Sequence, residues 1–426
     1  LFSALLLTYS RGAMIAFAGQ IFLFVIYYFR NINLKTTKNF MLVLAIGILM
    51  FFGANYIRGL SHQVVSVEDK IEFNNAESLT SKTERVDFWK GAIELIKKEP
   101  LFGFGPYSFR YAYNGIQKTF LGSSDHPHNV FLKIGAENGL IALVFFVAFL
   151  LVFFITVSKR FFKLEKEDRA FVYLLAMAVL GAFAHNIIDY NLNFFVNIFL
   201  LFLFLAMIRS TISKYDNEKK SKPYFLWILT IFITALCFIQ GGILVLGYMA
   251  NQSYLEYFLY PRLYYVTNAQ SEIDKKNFYK ALDFINTEIS LNPLDGQAFY
   301  IRGNIYCNEK FANEDKIKCR DDYKKSLELD PMNDLKYYRE YLKVLIALGE
   351  DKNEKEFIEK TKKLVQTYFY YVDNNVHFTA YTDNVEANAD LVDMLIPYLN
   401  KDEKKDFLMK KDKMMMKAES LRKERE

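Results

Sequence analysis

The 426-residue chain has three cysteines and five histidines. Cys237, Cys307 and Cys319 give neither a metal-ligand spacing nor a disulfide framework. A Cys307–Cys319 bridge stays open only if that part of the chain faces outward. An excess of one sign of charge is small too. The net charge is +5, and the basic residues fall in short connections and in the tail, so no nucleic-acid partner is expected. The GxG of "PLFGFGPYSF" (100–109) has no complete glycine fingerprint and no preceding strand, which argues against a nucleotide loop. A tight aromatic turn lying against a membrane fits it better. The chain opens "LFSALLLTYSRG", with no methionine and no basic stretch ahead of the apolar run, so a signal peptide is not expected. The sequence is instead expected to start inside a larger membrane protein, with earlier spans ahead of it.

What is present divides in two. Hydrophobic residues make up 52% of the chain and charged residues 24%. Residues 1–250 hold the long apolar blocks, and residues 251–426 hold Lys, Glu, Asp, Asn and Tyr. Roughly 20 apolar residues cross a bilayer core, and six stretches qualify: about 3–29, 39–56, 131–156, 170–187, 191–208 and 224–248. The connections "RNINLKTTK" (30–38), "SKRFFKLEKEDR" (158–169) and "RSTISKYDNEKKSK" (209–222) are rich in Lys and Arg, which places them in the cytoplasm. Alternation then leaves the 57–130 loop, the "HNIIDYN" turn (185–191) and everything after about 250 outside.

The outer loop is too long for a simple connection. Ser81 and Glu84 have capping-box spacing, and Val86, Trp89, Ile93 and Ile96 form one apolar stripe. Lys97, Lys98 and Pro100 then end the predicted helix.

Beyond about 262 the pattern becomes paired helices. Pro293 follows Ala281 by twelve residues, and Pro331 follows Cys319 by the same offset. Gly303 and Tyr306 stand where a helix–turn–helix repeat wants a small residue and an aromatic. Two units and part of a third, "LKYYREYLKVLIALGE", resemble tetratricopeptide repeats, with a short insertion near 311–316. Stacked pairs of this kind present a surface to a partner, here an envelope protein or a glycan chain, or serve as a spacer. Residues 371–426 read as a charged helix or solvated tail. The expected fold class is therefore all-α: a polytopic helical membrane domain (1–250), then a soluble helical-repeat domain (262–370) and the charged tail (371–426).

The residues that can carry chemistry cluster on the outer side. Arg11 in "TYSRGAMIAF" stands nineteen residues before Arg30, roughly 28 Å along a helix at ~1.5 Å per residue. That puts it at the outer edge of the hydrocarbon, where an ionisable residue suggests function and snorkelling is the bland alternative. Arg85 borders the apolar stripe of the loop helix. The two guanidiniums make a candidate phosphate site, and His128 in "DHPHNVF" a candidate base. His126, His128 and Asp125 lack a further ligand at metal spacing, so no metal is expected.

The stretches "TYSRG", "RVDFWKGAIELIKKEPLFGFGPYSF", "HPHNVFLKIGAENGLIA" and "HNIIDYNLNF" occur in the order seen in the O-antigen ligase and polymerase superfamily, which the chain resembles over roughly 3–208. The most specific part is His128-Asn129, nine residues, then Gly139; Ala142 is a mild departure from the motif. The resemblance implies a glycosyl transferase that needs no metal or other cofactor. It would move a glycan from an undecaprenyl-pyrophosphate carrier to a glycan, lipid or protein acceptor, at the outer face of the bacterial cytoplasmic membrane. Carried over by position, His128 is the base, and Arg11 and Arg85 hold the pyrophosphate. His126, Asn129, His185 and Asp189 are expected to shape or line the cleft. The competing reading is a membrane scaffold without activity, its repeats recruiting envelope proteins.

Overall fold

The computed structural model describes residues 10–28, 34–59, 76–118, 124–215, 231, 235, 261–311, 315–332, 334–373 and 385–425. Among these it is helical, with no strand. The chain forms two compact units: residues 1–110 with 124–219, and residues 111–123 with 220–426.

In the first unit the main helices are α1 (Arg11–Tyr28), α2 (Leu34–Gly59), α3 (Ala76–Lys98), α4 (Val130–Phe161), α5 (Lys166–His185) and α6 (Phe195–Ser213). Three helical stretches are long and apolar enough to cross a membrane: Val130–Phe161, Lys166–His185 and Val196–Ser213. Shorter apolar stretches occupy α1 and α2, and the sixth expected span (224–248) lies outside the described residues apart from 231 and 235. The apolar side chains of these helices are largely exposed, as Val144, Phe145 and Phe199 are. That is the arrangement expected where lipid rather than water surrounds them.

Two expectations about this unit need correction. α3 begins at Ala76, so Ser81 lies inside the helix and does not cap it. The expected stripe stands, with Val86 and Ile93 exposed, and a second face of Phe88, Ala92 and Leu95 is buried within the unit. The helix is apolar on two sides, and the pattern in the sequence resolves only one of them.

The second correction concerns the run at 131–156, which does not continue unbroken. Gly139 takes φ 83° and splits α4 into a nine-residue N-terminal piece and a long span. The carbonyls near the break are taken up by the "PLFGFGPYSF" turn. Phe104 N–H donates to Ala136 O (3.1 Å), Gly105 N–H to Glu137 O (2.8 Å), and Leu140 N–H to Pro100 O (2.8 Å). A β-carbon on Gly139 would overlap the Leu101 carbonyl, so close backbone approach and positive φ both require glycine here.

The second unit consists of water-type amphipathic helices: α7 (Pro261–Asp274), α8 (Phe278–Leu291), α9 (Gly296–Tyr306), α10 (Lys316–Leu329), α11 (Leu335–Leu348), α12 (Lys355–Asp373), α13 (Val385–Leu395) and α14 (Lys401–Arg425). Asp295, Asp315 and Asp334 cap α9, α10 and α11 through their carboxylates. Ala281 and Cys319 are fully buried at their matching offsets, and Gly303 lies flat against the Tyr323 ring. A disulfide joins Cys307 to Cys319, with Cα atoms 5.6 Å apart. Tyr111 and Asn114 cluster with this unit, Asn114 Nδ2 donating to Asp330 Oδ2 at 3.2 Å. Of the two expectations for the tail the helix holds and the solvated tail does not: α14 is helical, and Leu391, Leu395, Phe407 and Met414 are buried in one core with Tyr338, Leu342 and Val365. Its heavy charge lies on the faces that the core leaves over.

Candidate active site

The polar cluster of the first unit forms where the start of α4 meets the turn after α5. Asn129 caps α4, its Oδ1 accepting from Phe131 N–H (2.9 Å) and Leu132 N–H (3.0 Å). Val130 N–H donates across to Asn186 O (2.9 Å). Asn186 is itself buried; its amide donates to Ala182 O (2.8 Å), and its Oδ1 accepts from Leu192 N–H (2.8 Å). This one side chain therefore fixes the 186–192 turn against the end of α5. Its backbone ties the turn to the histidine loop.

That tie brings three predicted residues together. His128 Nδ1 lies 3.6 Å from Asp189 Oδ1, and His185 Nε2 lies 3.4 Å from Asp189 Oδ2. The first distance is in ion-pair range but longer than a hydrogen bond. Asn191 Nδ2 approaches His185 Nδ1 at 2.8 Å, and Ser10 Oγ lies 3.4 Å from His185 Nε2. Burial alone would raise the Asp189 carboxyl. His128, the Tyr190 backbone N–H and His185 more than offset it and hold the pKa below the ordinary carboxylate value.

His128 has φ 51°, a left-handed conformation that costs a non-glycine residue roughly 1–3 kcal/mol. Its ring stacks on Phe88 of α3 (centroids 5.7 Å, planes 15° apart) and meets the edge of Tyr190 at 4.8 Å. With Nδ1 turned to the carboxylate, Nε2 is the nitrogen left to take a proton.

The other predicted residues fall into place unequally. Arg85 stands on α3 one turn before Phe88; it is half-buried and has no ion-pair partner among the described residues. The side chain of Arg11 lies outside the described residues, but its backbone opens α1 between Ser10, at His185, and Gly12, which packs on Ile188. His126 faces Tyr190 (5.6 Å), and burial, then the Lys133 charge, push its pKa down to about 4. Asn129 serves as a helix cap while lining a recess of about 10 Å³ with His126, Lys133, Asp189, Tyr190 and Asn193, room for a single water. Asp125 pairs with Arg110 at 3.0 Å. Among the described residues no three His, Cys, Asp or Glu side chains stand close enough to hold a metal ion.

Sequence reasoning missed Lys133 and Glu137. Lys133 Nζ lies 3.8 Å from Glu137 Oε2 and 4.7 Å from the centre of the Tyr107 ring, and it donates to Asn193 Oδ1. Both interrupt the apolar run "FLKIGAENGLIALVFF", and a charged pair inside a span candidate is itself a functional signal.

The comparisons with known proteins agree with this part of the chain. Residues 1–147 match the family model described as O-Antigen ligase, a stretch that contains Arg11, Arg85 and His128. No curated protein and no solved structure matches the chain.

Proposed function

We propose that the chain is the membrane glycosyl transferase its motifs suggest, moving a glycan from an undecaprenyl-pyrophosphate carrier to an acceptor hydroxyl. The observation that carries this reading is Asp189 set between His128 and His185, on a turn whose Ile188 packs at Gly12 in the first turn of α1. His128 Nε2 takes the acceptor hydroxyl proton as the acceptor oxygen bonds to the sugar's anomeric carbon. The bond from that carbon to the diphosphate oxygen breaks, and the electron pair leaves with the lipid diphosphate. Arg85 and Arg11 stabilise the departing charge, so the leaving group needs no proton. Asp189 orients the imidazole and balances the imidazolium that forms, the role a carboxylate plays in other base–carboxylate pairs. His126, neutral at pH 7, shapes the turn.

The reaction takes place at the outer face of the bacterial cytoplasmic membrane in this reading. Support comes from the basic connections on the opposite side and from the Cys307–Cys319 disulfide, which belongs to oxidising compartments. The stacked helices of the second unit are read as tetratricopeptide repeats that engage the acceptor, a growing glycan or an envelope protein.

The test is transfer by the full-length protein in membranes, supplied with undecaprenyl-pyrophosphate-linked oligosaccharide, with the product identified by mass. Transfer that persists in a chelator supports the metal-independent reading. Absence of any glycan product, or its loss on chelation, contradicts it.

A further inference from the structure

We propose that Lys133 is a phosphate-binding residue at the mouth of a lipid slot, and that the slot takes the isoprenoid chain of the donor. The inference rests on the transferase reading and adds to it a residue and a subsite that the motifs do not assign.

Lys133 stands four residues into α4, before the Gly139 break, and its side chain is 13% exposed. An ammonium has three N–H donors. One goes to Asn193 Oδ1, and the Tyr107 ring face lies against the charge at 4.7 Å. Glu137, at 3.8 Å, is beyond hydrogen-bond length. Its other oxygen faces Phe109 N–H at 3.4 Å, which holds the carboxylate in place. The ammonium is thus aimed by its neighbours and keeps donor capacity among the described residues.

Beyond it opens a cavity of about 290 Å³ whose polar groups, Lys133, Glu137, Asn138 and Asn193, gather at one end. The rest is apolar, with Phe146 from α4, Phe183 from α5 and Leu201 and Phe202 from α6. From Ile198 to Leu205 the lining follows α6 for roughly 10 Å at ~1.5 Å per residue. Phe202 and Ile198 are partly exposed, so the slot opens sideways along the helices. A lysine paired with a carboxylate yet holding donors to spare, at the end of a long apolar channel, fits an amphiphile with an anionic head that takes those donors and a hydrocarbon tail. Lys133 also borders the small polar recess beside Asp189, so a phosphate on this ammonium lies next to the reacting groups. Of the lipids with an anionic head, the one whose head must be there for transfer is the isoprenyl diphosphate.

The test measures binding of a sugar-free C15 isoprenyl diphosphate to the purified full chain in detergent, with melting temperature as the check on folding. Lys133→Met should weaken binding by about tenfold or more, the worth of a charge-assisted hydrogen bond, while Lys133→Arg largely restores it. Ile198→Trp, at the open side of the slot, should weaken the isoprenyl diphosphate but not inorganic pyrophosphate. Gly53→Ala, where an added β-carbon meets nothing within 4 Å, should leave both unchanged. Wild-type affinity in Lys133→Met and Ile198→Trp overturns the inference while leaving the transferase reading intact. Equal competition by phosphatidylglycerol vesicles overturns the assignment to an isoprenoid. If wild type binds no isoprenyl diphosphate at all, the transferase reading itself fails.

Discussion

The two units obey the same helix chemistry in different solvents. In the first, Phe145 is 72% exposed, and close packing occurs where small residues let backbones meet, as at Gly139 and Gly103. In the second, Leu342 and Leu345 are fully buried, and the outward faces carry ion pairs such as Arg320–Glu350. The difference changes what a buried polar group means. In the second unit such groups finish helices, as Asp295 does while paired with Arg262 at 2.5 Å. In the first they converge on one end of the helices, where Asn129 and Asn186 finish α4 and α5 but Asp189, between His128 and His185, finishes none. A carboxylate set between two histidines, with no helix end to satisfy, is the better candidate for chemistry.

The sharpest break in that comparison is expected at Gly139. Gly139→Ala should cost the first unit more than the ~1–3 kcal/mol usual for overpacking, because the added carbon meets a backbone carbonyl. Gly53→Ala, where a β-carbon meets nothing within 4 Å, is the control and should express and melt like wild type. Equal behaviour of the two variants in detergent-solubilised yield would remove the kink from the account.

A second break is expected in the other unit. Cys319→Ser opens a twelve-residue separation, and loops of that size are worth roughly 3 kcal/mol in the chain-entropy model. Chemical denaturation should show the loss in the second unit, which holds the disulfide, and an unchanged midpoint there would contradict the prediction. Next in size is Arg85→Lys, which keeps the charge but loses the planar fork. Transfer should fall by roughly tenfold, about one charge-assisted hydrogen bond, with the melting temperature unchanged. A drop in melting temperature instead would make Arg85 structural.

The smallest effect concerns Glu288, nearly buried in α8. Burial, then the Asp295 charge, raise its pKa to about 7 against the opposing pull of Arg262. The folded state therefore holds this proton more tightly than the unfolded state, and stability falls as pH rises from about 4.5 to about 7. Glu288→Gln stays neutral, so it should raise the melting temperature modestly at pH 8 and leave it unchanged at pH 4. The same gain at both values would discount the titration.

How far the sequence could be read also differs between the units. The burial of Ala281 and Cys319 was legible because water-type helices bury one face with a fixed period. The tail was legible as a charged helix, but its packing was not, since the charge of α14 hid the apolar positions that join the core. In the first unit composition placed three of the six expected spans on helices long enough to cross a membrane, but an all-round apolar helix has no face to read, so the break at Gly139 went unseen. His128 was found through its motif, and its partner Asp189 only as a residue near the same cleft. Their meeting depends on the Val130–Asn186 hydrogen bond, a contact across 56 residues of chain that no local pattern encodes. Lys133 was passed over because the span count absorbed it, although its charge was the signal.

The central claim is that His128, positioned by Asp189, is the base that activates the acceptor. Single-turnover transfer from lipid-linked oligosaccharide, measured for His128→Ala and His126→Ala beside donor binding, tests it most directly. The account predicts a fall of roughly 10²–10⁴ for His128→Ala, the usual worth of a positioned base, with donor affinity kept and a much milder effect for His126→Ala. Wild-type transfer by His128→Ala, or an inactive His126→Ala, would contradict it.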